Sequence, residues 1–150
     1  MTQLEATIDI DAPPATVWSL VTDLPRMAEW SPQVVRTFVR GGTVREGTTF
    51  LNLNRRKLLL WPTQAKVVRF TPHEDFAFRV KENYAVWSFR LEPTPTGTRV
   101  TQRREVPRGI SKISTGLTTV ALGGVPSFTG ELEDGMRQTL GRIKAAAEAR

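Results

Sequence analysis

Residues Ser127–Ala149, SFTGELEDGMRQTLGRIKAAAEA, decide how the rest of the chain is read. Leu132, Met136, Leu140, Ile143 and Ala147 recur at three- and four-residue spacing and draw one apolar stripe along a helix. Pro126 and Ser127 stand at its start, where a helix accepts a proline and a hydroxyl cap. A stripe of this kind needs an apolar surface to lie on, and the preceding segments read as the strands that supply it.

Leu4–Ile10 alternates apolar and polar residues, the period of a half-buried strand. Pro13 and Pro14 end it, with Asp11 or Ala12 where a cap belongs, and Val17, Trp18, Leu20 and Val21 follow at helical spacing. A second short helical segment runs from Leu24 to Trp30, where Ser31-Pro32 breaks it. Six strand-like segments follow with short turns: 34–40, 48–54, 58–70, 75–81, 84–92 and 98–106. Turns this short demand antiparallel pairing. Pro62 places its part of the third segment at an edge or a bulge. Pro107–Val125 carries four glycines and a weak helical pattern, and it is expected to be a mobile cover.

Composition removes whole classes of chemistry. The 150 residues suit one domain spanning 1–150, and there are no cysteines and one histidine, His73. A disulfide framework, a zinc–cysteine site and a cysteine nucleophile are excluded, and no cofactor or metal is expected. His73 sits beside a turn proline and reads as an exposed loop residue. No apolar run is long enough for a transmembrane segment. The first residues, with Glu5, Asp9 and Asp11, lack the layout of a signal peptide, so a cytoplasmic location is expected. The net charge of +6 invites a nucleic-acid reading. Its arginines are scattered as singles, however, and no nucleic-acid partner is expected. The densest cluster, Arg55-Arg56-Lys57, reads as a solvated turn rather than a phosphate-binding patch; for a patch with a partner, an anionic ligand or a membrane surface is as plausible as a nucleic acid.

The order strand, two short helices, six-strand meander and long amphipathic helix resembles the START-like, or SRPBCC, superfamily. Within it the chain looks most like the polyketide cyclase/dehydrase and lipid-transport family. The resemblance rests on Ile8–Pro13, Val17-Trp18, Val21-Thr22-Asp23, Trp30, Gly97–Thr101 and Leu140–Lys144. It implies an α+β helix-grip fold: a seven-stranded curved antiparallel sheet around the C-terminal helix, with an apolar cavity between them. It further implies a hydrophobic small molecule as partner, whether lipid, isoprenoid or polyketide-like. A cyclase, aromatase or dehydratase acting on a poly-β-keto chain is the alternative, and a protein-interaction module the third.

The strand phases group aromatics that would fill a core by themselves and that, by the resemblance, line the cavity. Phe76 and Phe78 share one face of their strand, and Trp87 and Phe89 one face of the next. If Val100 points inward, Gln102 and Arg104 follow it; the competing phase buries Thr101 and Arg103. An inward Arg104 could pair with an anionic or carbonyl-bearing ligand. Trp30, Leu117, Leu132, Gly135 and Met136 complete the expected lining, with Tyr84, Asn52, Asn54 and Glu105 as weaker candidates. No His–Asp or Glu–Tyr pair marks a catalytic centre, and catalytic residues and oligomeric state stay unassigned. Gly135 borders the helix stripe at a cost of about 1 kcal/mol relative to alanine, which calls for close packing on the sheet or room for a ligand.

Overall fold

The computed structural model describes residues 2–41, 43–82, 84–106 and 125–149. The expected cover over Pro107–Val125, with its Leu117, lies outside the described residues apart from the backbone of Val125. Strand β1 (Thr2–Ile10) leads into helix α1 (Pro14–Val21), a 3₁₀ turn at Leu24–Arg26 and helix α2 (Met27–Trp30). Strands β2 (Val34–Val39), β3 (Thr49–Arg56), β4 (Leu59–Thr71), β5 (Asp75–Val80), β6 (Val86–Pro93) and β7 (Thr98–Val106) follow. Helix α3 (Val125–Glu148) completes the fold.

All seven strands join one antiparallel sheet in the order β1-β7-β6-β5-β4-β3-β2, the expected α+β helix-grip architecture. The stripe residues Leu132, Met136, Leu140, Ile143 and Ala147 are all buried. Helix α3 packs chiefly along β1, with α1 and α2 against it as well. Its lean toward the β1 side leaves space over β3–β6. Register shifts at Val34/Arg36 and at Val67/Arg69 bend the sheet around that space.

Local differences from the sequence reading have simple causes. The first helix is capped by the Pro13 carbonyl, which accepts from the Thr16 and Val17 N–H groups, and not by Asp11 or Ala12. The Asp11 N–H instead donates to Glu148 Oε2 at 2.9 Å, tying the end of β1 to the end of α3. Pro62 lies on the part of β4 that extends past the end of β5, where a missing N–H removes no central ladder bond. Tyr84 precedes β6, with a φ of 59° and an exposed side chain.

The scattered arginines are explained by the outer face of the sheet. Arg103 stands opposite Glu5 and Arg99 opposite Asp9 across the β1–β7 ladder, each pair bonded at 2.8 Å. The Arg99 hydrogen bond holds the Asp9 carboxyl below its usual range. Pairs this exposed contribute little to stability; they solvate the convex surface.

Gly97 is held to glycine by a close approach. A Cβ there would stand 2.1 Å from the Ile10 carbonyl oxygen and 2.8 Å from the Ala12 nitrogen. Beside it the Thr98 hydroxyl donates to the Ala12 carbonyl at 2.8 Å, locking the start of β7 under the end of β1. Gly97→Ala is therefore expected to destabilise the protein by about 3 kcal/mol, at the upper end of overpacking costs. Chemical denaturation measures this, and a change below about 0.5 kcal/mol would mean the β6–β7 loop yields freely.

Candidate functional site

The phase of β7 is settled by burial. Thr98, Val100 and Gln102 are buried on the face that meets α3, whereas Thr101 faces Thr7 on the outer side. Arg104 continues the inward row, between Leu4 on β1 and Trp87 on β6. Its guanidinium lies 5.7 Å from the Trp87 ring centre. Above them Leu132 and Met136 of α3 pack against Leu4 and Trp87.

These side chains border a cavity of about 140 Å³ between α3 and the sheet. Nine residues expected from the sequence meet there: Trp30, Phe78, Trp87, Phe89, Gln102, Arg104, Leu132, Gly135 and Met136. Asn52 and Asn54, the weaker candidates, line it as well. Phe76 does not. It is fully buried among Trp18, Phe70 and Phe78, with ring centres 6.1–6.2 Å away, and serves the core. Tyr84 lies in a separate, open depression of about 600 Å³ with Phe38, Arg40, Lys66, Arg79 and Lys81. That surface is larger, but Lys66 and Arg79 project from the solvent-facing side of their strands, away from α3. Glu105 does not border the cavity either.

Several lining residues were not foreseen. Trp61 and Thr63 share the inward phase of β4 with Ala65 and Val67, and they stand opposite Asn54 and Asn52. Alternation through the Pro62 break could have identified them. Glu131 reaches the rim from α3, where Arg56 donates to its carboxylate through Nε at 2.8 Å and Nη2 at 2.5 Å. That hydrogen bonding keeps the Glu131 carboxyl below its usual range. No local signal links two residues 75 positions apart.

The polar inventory divides sharply. Asn52 accepts from the Thr37 hydroxyl at 2.6 Å, Asn54 donates to the Thr63 hydroxyl at 2.9 Å, and Thr139 donates to the Gly135 carbonyl at 2.7 Å. Among the described residues, Gln102 Oε1 is the buried side-chain oxygen left without a hydrogen bond. Nor does any carboxylate among them pair with Arg104, whose pKa desolvation pushes down to about 10. A base with a pKa lowered by folding is still charged at neutral pH, and that charge opposes folding. Among the described residues the cavity therefore presents a cation without a carboxylate partner and a carboxamide oxygen without a donor, within aromatic walls. A ligand with an acidic or carbonyl oxygen for Arg104, a hydroxyl or N–H donor for Gln102 Oε1 and a flat apolar body would satisfy both.

Gly135 faces neither the sheet nor empty space alone. A Cβ there would meet Pro32 Cγ at 3.4 Å, an ordinary contact, with the cavity alongside. Gly135→Ala is expected to stabilise the protein by about 0.5–1 kcal/mol through helix propensity. Gly135→Leu should also raise the melting temperature while filling the cavity and weakening ligand binding. Calorimetric melting with and without ligand separates these effects; a fall in melting temperature for both variants would show that Pro32 cannot accommodate a side chain.

Comparison with known proteins agrees with this architecture. Among curated proteins, none matches the chain in sequence. The di-domain ARO/CYC BexL from the BE-7585A biosynthetic pathway is similar in structure, with a TM-score of 0.77 and 24% identity over 99% of this chain and 50% of that one. The di-domain ARO/CYC StfQ from the steffimycin pathway superposes with a TM-score of 0.76 at 14% identity, covering 99% of this chain and 51% of its own. The KanY protein matches over 99% of both chains, with a TM-score of 0.72 and 20% identity. At these identities the likeness is one of fold. The family model described as polyketide cyclase / dehydrase and lipid transport matches residues 1–148, and the chain belongs to that family.

Proposed function

We propose that the protein binds a small, largely aromatic or alicyclic molecule bearing an acidic or carbonyl oxygen, in the cavity between α3 and the sheet. The observation that carries this reading is the inward row of Arg104, with no carboxylate partner among the described residues, and Gln102, whose Oε1 has no donor among them, within walls of Trp30, Phe78, Trp87 and Phe89. A guanidinium without a counter-ion in such surroundings opposes folding, and an oxygen-bearing ligand offsets that penalty. Volume limits the ligand. A cavity of about 140 Å³ compares with the roughly 150 Å³ that holds benzene in an engineered core, so it suits a ring-sized apolar group.

Family membership supports a cyclase or dehydratase as the second reading. General acid–base work needs a group free to carry a proton at the reacting carbons. Among the described residues lining the cavity the one carboxyl is Glu131, and it is occupied by Arg56. Binding without turnover is the better-supported function.

Titration calorimetry with 2-naphthoate and naphthalene tests it. Naphthoate is expected to bind at least tenfold more tightly, and native mass spectrometry of gently purified protein should show a retained small molecule. Absence of saturable binding by either probe would remove the cavity as a ligand site. Turnover of a poly-ketone mimic that stops on changing Arg104 would establish the cyclase instead.

A further inference from the structure

The β3–β4 hairpin ends in Leu58, Leu59 and Leu60, which are 96%, 42% and 59% exposed. Three consecutive exposed leucines at a turn are out of place in water, where a two-residue hairpin favours asparagine and glycine. The hairpin also projects. Its ladder runs to Arg56↔Leu59, whereas β5 reaches only as far as Ala65 on one side and β2 as far as Asn54 on the other, so the end of the hairpin extends roughly 7 Å past both neighbours at about 3.3 Å per residue. Lys57 occupies the turn with a φ of 56°, a conformation that glycine would adopt more cheaply. Arg55, with its Nε bonded to the Lys57 carbonyl at 2.9 Å, flanks it, and no acidic residue lies between Arg55 and Trp61.

We propose that this tip is a docking wedge for an anionic lipid surface. The leucines enter the acyl boundary while Arg55 and Lys57 meet the headgroup phosphates. A convex tip of exposed leucines flanked by basic residues offers no concavity for a globular partner to fill, whereas a bilayer can take in its outer end. Apolar insertion alone binds membranes marginally, and neighbouring basic charge supplies the second attraction that stable docking needs. Each basic residue at an anionic surface contributes roughly fivefold in affinity.

The wedge and the cavity are continuous. Asn54 and Trp61, paired across the same hairpin, line the cavity, and Arg56 joins the hairpin to Glu131 at its rim. A docked tip therefore brings the cavity wall to the lipid boundary, where hydrophobic ligands concentrate. This last point rests on the binding function proposed above; the docking itself does not.

Vesicle flotation tests it with phosphatidylcholine vesicles and with vesicles containing 30% phosphatidylglycerol, at low and high salt. The expected result is flotation with the anionic vesicles only, weakened by salt. Arg55→Gln with Lys57→Gln should reduce affinity roughly thirtyfold. The decisive variant is Leu58→Ser with Leu60→Ser, which keeps every charge and alters only exposed side chains. It should lose at least tenfold in binding with an unchanged melting temperature and unchanged naphthoate affinity. Flotation of the serine variant equal to wild type would reduce the effect to the general attraction of a basic protein and overturn the wedge. So would failure of the wild type to float with either vesicle, or a self-association that the serine variant abolishes. Naphthoate calorimetry reports separately on the cavity, so loss of one function does not mask the other.

Discussion

Arg104→Met is expected to raise the melting temperature while removing the affinity for 2-naphthoate. The guanidinium lies in the inward row between Leu4 and Trp87, beneath Leu132 and Met136, with the Trp87 ring centre 5.7 Å away. Desolvation lowers its pKa to about 10, so the unfolded chain holds this proton more tightly than the folded one. The penalty applies at every pH below about 10, neutral pH included, and is relieved only as the guanidinium loses its proton above that. Methionine matches the length of the stem and removes the charge, which should stabilise the fold by about 1–3 kcal/mol. For a domain of 150 residues that corresponds to roughly 2–4 °C per kcal/mol. The same change removes a charge-assisted hydrogen bond, about 2–3 kcal/mol, or roughly a hundredfold in affinity. Thermal melting and calorimetry on one preparation read both effects. A lower melting temperature would make Arg104 a structural residue, and an unchanged affinity would move the ligand away from β7.

Truncation after Val125 should abolish cooperative folding. Leu132, Met136, Leu140, Ile143 and Ala147 are each at most 7% exposed, and removing them also uncovers Leu4 and the inward rows of the sheet. The larger side chains of the stripe each stabilise by roughly 1.5–3 kcal/mol. Together they match a whole domain's net stability of about 5–15 kcal/mol. The single change Ile143→Ala, at a fully buried position, should cost about 2–5 kcal/mol and keep the protein folded enough to measure. A truncated chain that melts cooperatively would refute the role assigned to α3.

What could be read from the sequence and what could not divide along a physical line. Periodicity reports which face of an element is buried, and it located the stripe of α3 and the aromatic face of β6. On β7 it left two phases open, because Gln102-Arg103-Arg104 is polar on both faces and only Val100 argues for one of them. Contacts between distant elements leave no periodic trace. The Arg56–Glu131 pair and the approach of Pro32 to Gly135 are products of the fold. Phe76 shows the opposite limit: its phase was correctly inward, but inward on this sheet means core at one end and cavity at the other. Leu59 and Leu60 do begin β4, as the strand pattern indicates; only the ends of β5 and β2 reveal that, with Leu58, they lie past both neighbouring strands.

The pairing of β1 with β7 also governs the order in which the molecule can be assembled on a ribosome. Thr7 lies 94 residues before its partner Thr101, and the helix that covers β1 is made later still. Strands β2 to β7 each find their neighbour within one short turn of being synthesised, so the meander can grow as the chain emerges. The first strand out has no such option. Its inward residues Leu4, Ala6, Ile8 and Ile10 stay without sheet neighbour or helix until residues 98–106 and 125–148 have appeared. Closing so distant a contact is the slow step that topology imposes. Of the seven strands β1 is therefore the one that waits longest, and the one most in need of protection while the others are built.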